Sequence, residues 1–381
     1  MSCSGFDSLK HRLAYLSQTA SDKHEKTAIP HPSLDSETWD RIGEFTYVQR
    51  IEEVSPFKTD RPNLILLNDS FGLEDVIFYD TETTGLSGGA GNIVFLIGTA
   101  WIVGTTLFLQ QVFLSDYPGE EELLAYLSKR FTPQKLYVSY NGKSFDSHLL
   151  KTRFLLNGGN LEMPNQLDLL YIARRFWKRI TGSCSLGTIE REVLGVERNL
   201  DIPSYEIPEV YFRFLRTGDH RSLYPVFEHN LQDIRSLVYL IHHIERILSG
   251  KNVKSSVDYA AVGSFLLEGG DLRGVEYLRT AFDQGDLRAG KILGQYLKRE
   301  KRWAEALNIW QKMARGKSLY GIIELAKYYE HRAVDPGSAL RWVDEIEPWH
   351  LRDMDISFQV RKRRMRLERK VERAGRDLGE K

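Results

Sequence analysis

Three short stretches place acidic and basic side chains at spacings that could do chemistry. Asp80-Thr81-Glu82 follows the β-rich run Val76-Ile77-Phe78-Tyr79. Strand side chains alternate, so residues 80 and 82 share one face of the strand end. Two carboxylates side by side repel unless cations share them, and burial raises that cost. Hard oxygen ligands with no Cys or His cluster beside them suit Mg²⁺ or Mn²⁺. The same spacing recurs in Asp35-Ser36-Glu37, in a polar stretch with no buried strand before it, so context rather than spacing separates the two triplets.

The second stretch, Asn141-Gly142-Lys143-Ser144-Phe145-Asp146, joins a predicted strand to a predicted helix. Turn and N-cap chemistry accounts for Asn141, for Ser144 and for a carboxylate in the first helical turn. It does not account for the junction falling where a third metal ligand would be needed. In the third, His229 and Asp233 are four residues apart on a predicted helix, so imidazole and carboxylate face the same side. Asp233 can complete a metal site while His229 takes a proton from a water, a role suited to a group titrating near neutrality. An exposed helical His-Asp pair has the same spacing.

The elements that must position these groups follow from periodicity. Val76 to Tyr79 reads as a strand and Gly85 to Asn92 as a glycine-rich loop. Ile93 to Val103 and Thr106 to Phe113 read as a hairpin turned at Gly104-Thr105. Helical spacing follows over Glu120 to Phe131, a strand over Lys135 to Tyr140, and a helix from Ser144 to Leu156 stopped by Asn157-Gly158-Gly159. A short strand runs into a helix over Leu167 to Trp177, and further helices span Ser185 to Val193 and Leu223 to Leu248. A hairpin followed by alternating strands and helices implies an α/β fold, a mixed sheet flanked by helices, over residues 71–250. Residues 1–70 read as a partly ordered N-terminal extension.

After Gly250 the texture is all-helical. Gly274, Ala306 and Ala339 fall in register in successive segments, as do Ala289 and Gly321. Small residues at matching places let helices approach closely, and a period near 34 is that of tetratricopeptide-like solenoids. This predicts an all-α helical-repeat domain over 251–350 that offers a surface for a protein partner, followed by a basic helix or tail over 351–381. The last 21 residues hold ten Lys or Arg against four acidic residues, which a solvated helix with charge pairs explains better than a dedicated binding site.

Composition bounds the functional classes. At 381 residues the chain suffices for two globular units, and its 52 basic and 52 acidic residues cancel. Any nucleic-acid contact must therefore come from local patches. Arg174-Arg175-Phe176-Trp177-Lys178-Arg179 interleaves charge with aromatics, which suits phosphates and stacked bases. It suits equally an amphipathic helix with Phe176 or Trp177 in a core. Two cysteines, Cys3 and Cys184, are too few for a disulfide framework or a thiolate zinc site, which points to a cytoplasmic setting. The longest apolar stretch, Ile93 to Val103, is about half the ~20 residues that span a bilayer, so no membrane association is expected. The N-terminus has no basic region followed by an apolar run and does not read as a signal peptide.

Taken in order, the three stretches resemble the motifs of DEDD-type 3'–5' exonucleases: Asp80-Thr-Glu-Thr-Thr-Gly-Leu, Asn141-Gly-Lys-Ser-Phe-Asp146 and His229 to Asp233. More narrowly, Asp168-Leu-Leu-Tyr-Ile-Ala-Arg-Arg-Phe-Trp, Gly182-Ser-Cys-Ser-Leu-Gly-Thr-Ile-Glu-Arg-Glu and Ile207-Pro-Glu-Val-Tyr-Phe-Arg-Phe-Leu-Arg-Thr-Gly-Asp resemble the bacterial YprB-type RNase H-like proteins. The resemblance covers about residues 40–250 and implies an RNase H-like fold cutting the phosphodiesters of DNA or RNA with two Mg²⁺ or Mn²⁺ ions roughly 3.5–4 Å apart. It implies that Asp80 bridges both ions, that Glu82 and Asp233 complete one, and that Asp146 holds the other through water. Thr83, Gly85 and Leu86 would approach the terminal nucleotide, with Asn141, Arg174 and Arg175 as further substrate contacts. His229 stands as in one exonuclease branch but with the spacing of the branch that uses tyrosine, so it would approach the attacking water from a different angle. The rival reading is an RNase H-like scaffold that binds nucleic acid with little turnover.

Overall fold

The hairpin forms as its pattern predicts: β4 (Val94–Val103) and β5 (Thr106–Leu114) pair antiparallel around a two-residue loop in which Gly104 takes φ 59°. A glycine there avoids the steric cost of a left-handed backbone. The structure, a computed structural model, describes residues 34, 38–58, 65–67, 71–85, 89, 91–198, 202–251 and 256–379. Asp35 and Glu37, the triplet used for comparison, lie outside the described residues, as does Leu86.

Among the described residues seven strands make one mixed sheet in the order β1-β2-β5-β4-β3-β6-β7, with β1 at Asp40–Arg41, β2 at Thr46–Val54, β3 at Val76–Thr83, β6 at Leu136–Ser139 and β7 at Asn165–Asp168. β3 lies between β4, antiparallel, and β6, parallel. Its residues Val76 to Tyr79 are buried, as a strand covered on both faces requires. β1 and β2 fall within the segment read from sequence as an extension, so the sheet begins well before residue 71. β2 pairs along its whole length with β5, and Trp39 packs against Phe113 and Phe227.

The described residues group into two compact units. One holds those up to Leu169 together with Glu197–His242; the other holds Leu170–Val196 together with His243 onward. The first contains the sheet, with helices Glu120–Ser128, Asp146–Leu156, Ile207–Thr217 and most of Tyr224–Leu248. The division differs from the one expected at Gly250, because 170–196 belongs with the C-terminal helices. Phe176 and Trp177 explain why: both are fully buried, Phe176 meets Phe265 edge-on, and the Trp177 indole N–H donates to Ser256 O. Of the two readings of 174–179, the amphipathic helix with both aromatics in a core is the one observed.

In the second unit, helices Tyr259–Glu268, Gly274–Asp283, Leu287–Arg299, Trp303–Arg315, Leu319–His331 and Pro336–Asp344 follow one another, and Met354–Gly379 closes the series. The small residues singled out by spacing sit at contacts. Ala289, Ala306 and Ala339 are buried, and a Cβ on Gly321 would come within 2.7 Å of Met313 Cβ. The basic C-terminal helix is held by charge: Arg363, Arg366 and Lys370 all bond to the buried carboxylate of Glu330. Among the described residues no helix is long and apolar enough to cross a membrane.

Candidate active site

β3 ends in Asp80 and Glu82 on the same face, opposite Gly98 and Leu96 of β4, with a register shift immediately after Glu82. Asp146 opens the helix that follows β6. Its expected cap does not form, since Phe145 rather than Ser144 takes the N-cap position and no side chain caps the helix. The turn is made instead by Asn141 at φ 66°, whose N–H donates to Asp168 Oδ1 at 2.8 Å. Helix Tyr224–Leu248 supplies His229 and Asp233. All four carboxylates and His229 line one cleft of about 220 Å³, together with Thr83 and Gly85. Phe145, Leu149, Ile207 and Pro208 also line it and add apolar surface, and Phe145 is 49% exposed.

Electrostatics mark the cleft as costly. Burial, then the charges of Asp233 and Asp146, push the Asp80 carboxyl well above the usual carboxylate range. Glu82 is raised by burial and then by Asp80, Asp233 and Asp146. Burial lifts Asp146 to about 6, against the pull of a hydrogen bond from the Thr81 hydroxyl. An all-oxygen donor set with mutually raised carboxyls fits a hard divalent cation, which would remove the repulsion. Among the described residues, however, no three such groups stand close enough together to enclose an ion as they are. Arg198, which also lowers Asp80 and Glu82, is ion-paired to Asp233 and bonds His229 Nδ1 at 3.1 Å.

Sequence reasoning overlooked the groups that hold these carboxylates. Asn230 is fully buried; its amide donates to Asp80 Oδ2 at 2.9 Å and accepts from the buried amide of Gln111 at 2.9 Å. Gln111 also donates to Phe227 O, which fixes its orientation and so that of Asn230. Gly98 makes this possible, because a Cβ there would collide with Asn230 Oδ1 and lie 2.9 Å from Ile234 Cγ2. An asparagine between His229 and Asp233 was the visible signal for this relay, whereas nothing local singled out Gln111 or Arg198. Of the other expected substrate contacts, Asn141 is not among the residues lining the cleft. Arg174 and Arg175 lie in the helical unit, Arg174 exposed and Arg175 paired with Glu268 while lying over Phe265.

A model of the RNase_H superfamily matches residues 77–245. The chain is 32% identical to YprB of Bacillus subtilis (strain 168) over 320 residues, which covers 80% of this chain and 77% of that protein. The chain belongs to the YprB family. Among solved structures, this family member resembles exonuclease I, with a TM-score of 0.30 and 15% identity over 44% of its own length. A zinc-bound complex of Escherichia coli exonuclease I with single-stranded DNA gives a TM-score of 0.30 at 14% identity over 45% of this chain. The YprB-family chain spans about 40% of the length of those exonuclease I chains.

Proposed function

We propose that this protein is a divalent-metal-dependent nuclease, and more narrowly a 3'–5' exonuclease acting on DNA or RNA. One observation carries the reading: carboxylates from three separate elements meet in one cleft where burial and mutual repulsion disfavour their charged forms. A fold that bears this cost gains from it when cations arrive. Asp80, Glu82, Asp146 and Asp233 are the residues that would hold two Mg²⁺ or Mn²⁺ ions, which supply clamping of the attacking and leaving oxygens of a phosphodiester. Asn230 orients Asp80, His229 takes the proton of the attacking water, Thr83 and the backbone of Gly85 face the terminal nucleotide, and Phe145 offers a ring for its base. The helical unit, with small residues at matching places in successive helices, is read as tetratricopeptide-like and as the surface for a protein partner. Its cysteine usage fits a cytoplasmic protein.

A second reading is favoured by the Arg198–Asp233 ion pair: a nucleic-acid-binding scaffold in which the cleft stays closed to metal and turnover is slight. End-labelled DNA and RNA strands incubated with Mn²⁺, with Mg²⁺ and with chelator decide between them. Progressive shortening from the 3' end that chelator stops is the expected result. Retention of intact strands by a protein that never cuts them under any metal would establish the scaffold.

A further inference from the structure

Arg198 occupies both halves of the third motif at once. It is 11% exposed and its partner Asp233 14%, and its guanidinium also lies 3.1 Å from His229 Nδ1. Arginine has only donors, so Nδ1 must present its lone pair to Arg198, and a neutral imidazole then carries its hydrogen on Nε2. Nε2 lies 3.7 Å from Asp233 Oδ2, facing a carboxylate. In this arrangement neither ring nitrogen has a lone pair available for a water, and Asp233 Oδ1 is taken by the guanidinium. The general base and one metal ligand are therefore both withheld, and both are released by the same event, the departure of Arg198.

We propose that Arg198 is a switching residue: it holds Asp233 and His229 in a resting arrangement and transfers to a phosphate of the incoming strand. A planar guanidinium trades a carboxylate for a phosphate with the same forked geometry, and a divalent ion arriving at Asp233 repels it in the same direction. Strand and metal then favour each other's binding, and by linkage the coupling is the same in either order. This rests on the metal-dependent reading of the cleft.

The test titrates Mn²⁺ calorimetrically into full-length wild type, Arg198→Ala and Arg198→Lys, with and without a short oligothymidylate carrying cleavage-resistant phosphorothioate linkages. Without the strand, Arg198→Ala binds Mn²⁺ about fivefold more tightly than wild type; the strand, whose oxygens also ligate the metal, tightens binding to both, but to wild type by about fivefold more than to Arg198→Ala. Arg198→Lys, which keeps one charge but cannot fork, falls between the two. In ¹⁵N spectra of the metal-free protein, His229 carries hydrogen on Nε2 in wild type and shifts toward the other tautomer in Arg198→Ala. Equal Mn²⁺ affinity with and without the arginine, or weaker binding by a folded Arg198→Ala, overturns the proposal. If no variant binds Mn²⁺, the metal-dependent reading fails instead, and the spectra still decide whether Arg198 sets the ring. Should Arg198→Ala not fold, Arg198→Lys supplies both readouts, and an affinity and tautomer identical to wild type count against the switch.

Discussion

Both units bury carboxylates, and they treat them in opposite ways. In the helical unit Glu330 has a side-chain exposure of 0%, yet hydrogen bonds from Arg366 and Lys370 outweigh the effect of burial and bring it down to about 2. Glu324 is likewise lowered against burial, by Lys298 and Lys327. In the sheet unit the buried carboxyls Asp80, Glu82 and Asp146 are raised, because what surrounds them is mainly more carboxylate. Burial alone thus does not mark a site. The sign of the shift does, since a cation network completed by the chain itself leaves nothing for a ligand to correct.

The largest effect that would break this contrast is expected at Asp80. Asp80→Asn should reduce metal-dependent cleavage to background while leaving the melting temperature of the metal-free protein unchanged or higher, because one repelling charge has gone. Wild-type cleavage by the folded variant would remove Asp80 from the site. Gly98→Ala comes next: displacing Asn230 should cost roughly 10- to 100-fold in activity or metal affinity, as loss of a ligand-orienting contact does. It should also cost about 1–3 kcal/mol from overpacking. Unaltered metal binding would show that the relay from Gln111 is structural only.

Glu330→Gln should act the other way round, lowering stability by about 3 kcal/mol as a broken buried ion network does, with no change in Mn²⁺ affinity. A denaturant midpoint equal to wild type would argue that Arg363, Arg366 and Lys370 find other partners.

The smallest effect is in pH. Asp146 is raised in the folded state, so its contribution to stability is full below the ordinary carboxyl range near 4 and is lost as pH rises through about 6. Glu330 is lowered, so its contribution is present above that ordinary range and is lost as pH falls through about 2. Metal-free melting curves should therefore decline between pH 4 and 7, and Asp146→Asn should lessen that decline by about 2–4 °C, with Asp80 and Glu82, raised as well, supplying the rest. Persistence of the whole decline in Asp146→Asn would assign it elsewhere.

What the sequence made legible was local. The run before Asp80, the four-residue step from His229 to Asp233 and the hairpin at Gly104 are each set within about one turn or one strand. β2 escaped notice because only its first three residues are buried without break, and its partner β5 begins about 50 residues later. Sequence alone groups Leu170–Val196 with the sheet because it follows β7 directly, whereas Phe265 and Ser256, the neighbours that cover Phe176 and Trp177, come much later. Asn230 and Arg198 act through partners distant in sequence, and no short-range period reports them. The helical unit was legible as helix and as spacing, but the cations that neutralise Glu330 lie 33 to 40 residues beyond it.

The chain passes between its units at 169/170, 196/197 and 242/243. During synthesis the ribosome therefore delivers Leu170–Val196 well before the C-terminal residues that cover it. Phe176 and Trp177 leave the ribosome about 90 residues ahead of Phe265, which at ~5–20 residues per second is a wait of several seconds or more. The sheet, for its part, cannot receive His229 and Asp233 until that same stretch has been threaded past. Nascent chains of this protein thus carry an aromatic pair through the middle of their production before the residues that bury it have been delivered.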